Sequence, residues 1–226
     1  QALVNHPLSA LLLADAAQSS ESDVSVLSLA RRALSLLWQC TGQDAEAGRA
    51  LQSLCERMLH ARQFLLLQRC LTQLLAQCKG SGAVAHFFMA QCLFSVGQMD
   101  RAAEHFEAAA ASPLTEHLLL EVGSRALVAD GMRVPDGPTV EDADSEHALG
   151  AGELVAAADR LELVAAGFWV AVAGQFEKAR DHHHACEFLE RALGACSTQH
   201  RKAHAIWLSR LFRYRLEAGH YDRAYL

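Results

Sequence analysis

Residues 86–110 read HFFMAQCLFSVGQMDRAAEHFEAAA. Phe87 to Val96 contains no glycine, proline or charged residue, and it predicts a helix closed by Gly97. Asp100 is of the type that caps a second helix, whose inner face takes Ala102, Phe106 and Ala109 at helical spacing. The turn has a mechanical reason. Glycine supplies the left-handed end of the first helix, the carboxylate satisfies free N–H groups of the second, and alanine lets the two helices approach closely. The stretch therefore reads as one helix-turn-helix unit. Its Gly-x-x-Asp-x-Ala grammar returns at Gly219, Asp222 and Ala224. A further version from Gly174 to Ala179 competes with a nearly continuous helical pattern over Leu161 to Arg180 and a better cap at Asp181, which leaves Gly174 either a turn or a mid-helix residue.

Working outward, the composition is that of an all-helical protein. The chain has 226 residues, 51% of them apolar, enough for a continuous core and inconsistent with a disordered linker. Its four prolines, Pro7, Pro113, Pro135 and Pro138, leave 8–112 and 139–226 without the strongest helix breaker. Upstream, Leu8 to Gln18 predicts one helix, and the Ser22-Asp23 cap before Val24 to Trp38 predicts another. After the break at Thr41-Gly42, Ala47 to Met58 resumes the apolar stripe, and Phe64 to Leu75 extends it to a turn at Gly80-Ser81-Gly82. Downstream, periodicity returns at Gly152 and runs through Val172, with further helices over about His184–Ala195 and Arg201–Ala218. The turn copies at Gly97, Gly174 and Gly219 lie 77 and then 45 residues apart, which is no fixed 34-residue repeat. The expected fold is all-α: an irregular α-solenoid of about ten or eleven stacked antiparallel helices with tetratricopeptide-like helix pairs.

Residues 130–150 interrupt this pattern with Pro135, Pro138 and a cluster of acids, and read as a solvated loop. Asp130, Asp136, Glu141, Asp142, Asp144 and Glu146 against Arg133 carry −5 of the formal net charge of −6. The expected organisation is thus residues 1–129 as the N-terminal part of the solenoid, 130–150 as an acidic insertion and 151–226 as the C-terminal part. Because the chain opens on Gln1 and stops at Tyr225-Leu226 inside a helical pattern, it reads as a piece of a longer protein.

The acidic balance lacks the basic footprint that phosphate contacts require, so no direct nucleic-acid partner is expected. Uncharged runs at 1–14 and 163–176 hold fourteen residues each, below the roughly 20 of a membrane-crossing helix. No membrane span is expected. Cys40, Cys55, Cys70, Cys78, Cys92, Cys186 and Cys196 form an odd set without CxxC spacing, and read as buried reduced thiols of a cytosolic or nuclear protein. The histidines of His182-His183-His184, with His200 and His204, are the candidate metal ligands, and a metal hydrolase built on them is the competing enzyme reading. Consecutive helical residues point about 100° apart and cannot converge on one ion, however, and His200 with His204 lack a third ligand. A solvent-facing turn is the plainer reading of 182–184. Neither GxSxG, GxxxxGK[ST] nor GxGxxG occurs, and the acid pairs Glu104/Glu107 and Glu187/Glu190 read as solvated faces. No catalytic, cofactor-binding or metal residue is assigned, no small-molecule substrate is expected, and the residues singled out are structural: Gly97, Asp100, Ala102, Phe106, Gly219, Asp222 and Ala224.

The stretch from His86 to Gly97 followed by Arg101 to Ala109 resembles the helix pair in the α-solenoid of the nucleoporin-160 family, the large scaffold nucleoporin of the Y-complex. Three further segments agree in order: His60 to Gln68 upstream, then Phe168-Trp169 with Phe188-Leu189 and Ala192-Leu193, then Leu211 to His220 leading to Ala224-Tyr225. The resemblance covers about Leu59 to Leu226. Phe168-Trp169 stands where the family has a tyrosine pair, and the acidic loop looks like an insertion. What the resemblance implies is an outer-ring scaffold subunit of the nuclear pore complex at the nuclear envelope. Its partners would be other Y-complex nucleoporins, and it would have no enzymatic activity or cofactor while supporting mRNA and protein transport. The alternative from the turn grammar alone is another helical-repeat adaptor, of tetratricopeptide-like or vesicle-coat type, that binds peptides or helices.

Overall fold

The computed structural model describes residues 45–77, 82–111, 117–132 and 151–220, and all its regular elements there are helices. In chain order they are α1 (Ala45–His60), α2 (Phe64–Gln77), α3 (Gly82–Ser95), α4 (Met99–Ala110), α5 (His117–Ala129), α6 (Ala151–Lys178), α7 (His182–Ala195) and α8 (Arg201–Glu217). Two compact units divide the chain at Leu118/Leu119. The first contains α1 to α4, and the second contains α6 to α8 with nearly all of α5. The helices expected within residues 8–38, and the turn partners Asp222 and Ala224, lie outside the described residues.

Five helix ends share one closure. At Arg62, Gly97, Gly131, Arg180 and Gly219 the backbone turns left-handed, with φ of 56°, 79°, 70°, 61° and 78°. In each case this residue and the next donate their N–H groups back into the last turn of the helix, at 2.8–3.1 Å. At Gly97, for example, the Gly97 N–H reaches the Phe94 carbonyl and the Gln98 N–H reaches that of Leu93. This is the Schellman arrangement, which satisfies carbonyls the helix leaves open and reverses the chain within two or three residues. Glycine takes the left-handed conformation freely, whereas Arg62 and Arg180 hold it at a cost of about 1–2 kcal/mol each. From 62 to 97 to 131 the steps are 35 and 34 residues, close to the tetratricopeptide period, before widening to 49 and 39. The Gly-x-x-Asp-x-Ala pattern misses this spacing because two of the five closures carry arginine and the one at Gly131 has Val134 where the pattern needs Asp.

Several expected boundaries shift. The stripe expected to extend from Met58 into Phe64–Leu75 is broken at Arg62, so it forms two helices. Gly82 begins α3 instead of belonging to a turn. Asp100 is not the cap of α4: that position falls to Gln98, which makes no side-chain cap bond, and Asp100 sits inside the first turn, where its charge faces the positive helix end. Gly174 lies within the uninterrupted α6, while Asp181 caps α7 by accepting from the His184 N–H at 3.2 Å. The acidic stretch starts differently too. Asp130, Gly131 and Met132 belong to the folded closure of α5, with Met132 buried, and only 133–150 of that loop lie outside the described residues.

In the first unit α3 is the centre. Its apolar residues occupy every side, nine of its fourteen residues are buried, and it packs against α1, α2 and α4. From α4 it receives Ala102, Ala103, Phe106 and Ala109, all buried, with Phe106 meeting Phe87 at a ring separation of 5.8 Å. The second unit depends on a close approach. A Cβ on Gly167 of α6 would lie 2.5 Å from the Gly123 carbonyl oxygen of α5, and one on Gly123 would lie 2.2 Å from that of Val164. Aromatic rings join α6 to α7, where Trp169 and Phe176 both stack on Phe188 at 5.6 and 5.3 Å. Among the described residues no charged side chain is fully buried, and both cores are built of apolar and aromatic side chains.

Glycines at different depths should respond oppositely to an added methyl. Gly167→Ala should destabilise by about 2–3 kcal/mol, because backbone must move to admit the Cβ. Gly194→Ala, on α7 with nothing within 4 Å, should stabilise by about 0.5–1 kcal/mol. Equilibrium urea unfolding of the two variants checks both signs.

Candidate functional site

The closure of α5 places a carboxylate against α8, in a polar network that also takes in α6. Asp130 accepts from Trp207 Nε1 at 3.0 Å and from Arg210 Nη1 at 3.2 Å, both on α8. Arg210 reaches on to Glu177 of α6 at 3.4 Å and to the Tyr214 hydroxyl at 3.1 Å, while Glu177 also takes Arg213. Burial alone would weaken the Arg210 charge. The Tyr214 hydroxyl with the Asp130 and Glu177 carboxylates over-compensates, and the guanidinium is held more firmly protonated than usual. Tyr214 has its pKa raised by burial and by its hydrogen bond to Glu177, against the opposing pull of Arg210. Trp207 and Tyr214 are fully buried, so this network forms the polar lid of an apolar core. The composition-based reading counted Asp130 with the solvated acids, and nothing in its neighbours signals otherwise.

The histidines separate when placed. His183 is 64% exposed, but His182 and His184 are only 20% and 14% exposed, so the solvent-facing turn expected for all three applies to one. His184 bonds Asp181 at 2.8 Å and packs on Phe176, and His182 lies 3.1 Å from Glu217. His204 bonds the Cys196 carbonyl oxygen at 3.1 Å, and His200 occupies the N-cap position of α8. His182, His184 and His204 are thus used by local packing, whereas the His200 ring makes no cap bond. Among the described residues no three His, Cys, Asp or Glu side chains are grouped to hold a metal ion. Glu104, Glu107, Glu187 and Glu190 are exposed.

Described cysteines are free thiols, with Cys55, Cys92, Cys186 and Cys196 buried and Cys70 half-buried. Burial pushes Cys92 up to about 12 and Cys186 and Cys196 to about 11, and it raises Cys55 well above its ordinary value. None of the four is a nucleophile at neutral pH. No described helix is long and apolar enough to cross a membrane.

What the described surface offers is contact area. Leu208 and Phe212, 52% and 43% exposed, stand four residues apart on α8, and Leu65 and Val128 are exposed on α2 and α5. A cavity of about 550 Å³ opens at the start of α8, lined by Met132, Leu163, His200 and Lys202 among others. Lys202 closes one side of it by donating to the Gly131 carbonyl oxygen.

Removing the shared carboxylate should be costly. Asp130→Ala leaves the Trp207 N–H and the Arg210 charge short of a partner, and should destabilise the second unit by about 2–4 kcal/mol. Urea unfolding followed by Trp fluorescence measures this, and Asp136→Ala should serve as a neutral control.

A family model described as NUP160/120 middle TPR matches residues 49–226. No curated protein and no solved structure matches the chain. The family match begins ten residues before Leu59, where the resemblance in the sequence starts, and runs through both units. With two all-helical units, tetratricopeptide-like closures and a match over more than three quarters of its length, the chain belongs to the NUP160/120 family, in its middle tetratricopeptide-repeat region.

Proposed function

We propose that this chain is a structural scaffold segment of the nuclear pore complex outer ring, the Y-complex, at the nuclear envelope. It makes protein–protein contacts with other Y-complex nucleoporins that support pore assembly and the transport of mRNA and protein. The observation that carries the reading is membership of the NUP160/120 family over residues 49–226. Physical features support it. Both cores are apolar, the Asp130–Arg210–Glu177 network is engaged in local packing, and large apolar side chains are left at the surface. Such a molecule works through shape and contact area. It needs no cofactor, no catalytic residue and no small-molecule substrate. In this reading the two units continue as one irregular α-solenoid, 133–150 form an acidic insertion within it, and Asp222 and Ala224 start a helix after the Gly219 closure as α4 starts after Gly97.

Co-elution of the purified chain with recombinant Y-complex subunits on a sizing column tests this. The expected result is a complex that persists at raised salt, as an interface with an apolar centre does. A folded, helical chain that elutes alone from every Y-complex subunit would overturn the assignment.

A further inference from the structure

Two histidines outside the features used above face each other across the first helix pair. His86 on α3 and His105 on α4 place their Nδ1 atoms 2.8 Å apart, with ring centroids at 5.1 Å and both rings part-buried. An Nδ1 to Nδ1 hydrogen bond imposes a rule on protons. One ring must carry its hydrogen on Nδ1, and the other must present the Nδ1 lone pair. A first added proton goes to the free Nε2 of the donor ring and leaves the bond intact. The second has only the accepting Nδ1 to bind, and that would bring two N–H groups head-on at hydrogen-bond distance. The intact pair therefore holds one added proton at most.

We propose that His86 and His105 form a proton-sensitive latch, which holds α3 against α4 in neutral solution and releases this helix pair in mild acid. Its position gives it leverage, since α3 is the helix on which α1, α2 and α4 all pack. The surroundings do not cancel the effect. Burial disfavours the charged form of both rings, and His86 further disfavours it in His105. The fixed charges acting on the pair are Arg101, which opposes protonation of His105, and Glu104, which favours it, both on α4. Among the described residues α1 and α2 add no charge that acts on His86. Both histidines thus protonate less readily folded than unfolded. The stability they contribute is complete above about pH 6.5 and is lost as the pH falls below it. Each proton taken up on opening raises the opening equilibrium by up to about tenfold per pH unit.

Hydrogen exchange of the full chain between pH 7.5 and 5.5, corrected for intrinsic rates, tests the latch alongside an NMR titration of the histidine rings. Peptides spanning 82–110 should lose protection about tenfold or more per pH unit below 6.5, relative to peptides from α6 and α7. In the ring titration, one proton should enter the His86–His105 pair before the second. The double variant His86→Phe with His105→Phe should lose the extra pH dependence. Should that variant fail to fold, His105→Gln offers His86 a carbonyl oxygen that accepts from a protonated Nδ1 without a head-on N–H pair, and should lose clearly less protection per pH unit than the wild type. Two rings that each titrate fully near pH 6.5 while residues 82–110 stay protected would overturn the proposal. So would a foldable variant with the wild-type pH response.

Discussion

A left-handed residue at the end of a helix is the constraint on which each unit depends. The carbonyls of a last turn need donors, and a chain that must double back at once cannot supply them from a long loop. Here the residue at position 62, 97, 131, 180 or 219 and its successor both turn their N–H groups inward, so the carbonyls are satisfied as the direction reverses. After 62, 97 and 180 a new helix begins within two residues. Helices joined so tightly lie side by side, and the apolar face that each presents to its neighbour is fixed by where the closure falls.

Packing follows from these reversals. The closures at Arg62 and Gly97 bracket α2 and α3 and give α3 neighbours on all sides, which suits a helix apolar around its whole circumference. In the second unit the closure of α5 does more than reverse the chain. It holds Asp130 where Trp207 and Arg210 need an acceptor, and the Gly123–Gly167 approach sets the separation of α5 from α6. Contact between backbones and an ionic network at the rim are both intolerant of small displacements, while the α6–α7 aromatic stack is broad and apolar. In the proposed scaffold role a surface must keep its shape, and the closures are what would link sequence to that role.

How much of this can be read from the residues divides along the same line. The helix pair at 86–110 is legible because glycine marks the left-handed position and alanine and phenylalanine mark the inner face. The ordered segments from His60 to Tyr225 carry the family in the same way. Arg62 is not legible, because arginine is a good helix former and nothing local announces that it ends a helix, whereas the end at Arg180 is legible from the Asp181 cap that follows it and only its left-handed φ is hidden. Asp130 is hidden by its neighbours, since an acid at the head of an acidic, proline-containing stretch looks solvated until α8 is seen to bring Trp207 and Arg210 to it. The cap at Asp100 fails by two residues because Gln98, with no side-chain cap bond, occupies the position, and a good capping residue inside the first turn gives the same local signal. His182 and His184 differ from His183 only by the 100° rotation per residue that turns two of them toward α6 and α8.

Arginine at 62 and 180 is strained by its left-handed backbone, and glycine should relieve that strain. Equilibrium urea unfolding of Arg62→Gly and Arg180→Gly is the most direct measurement. If these closures are left-handed, the relieved strain outweighs the extra freedom of the unfolded chain and each variant should gain about 0.5 kcal/mol of stability. A loss of similar size in either variant is what glycine causes in ordinary helical or extended backbone, and it would contradict the shared closure as the constraint that builds the fold.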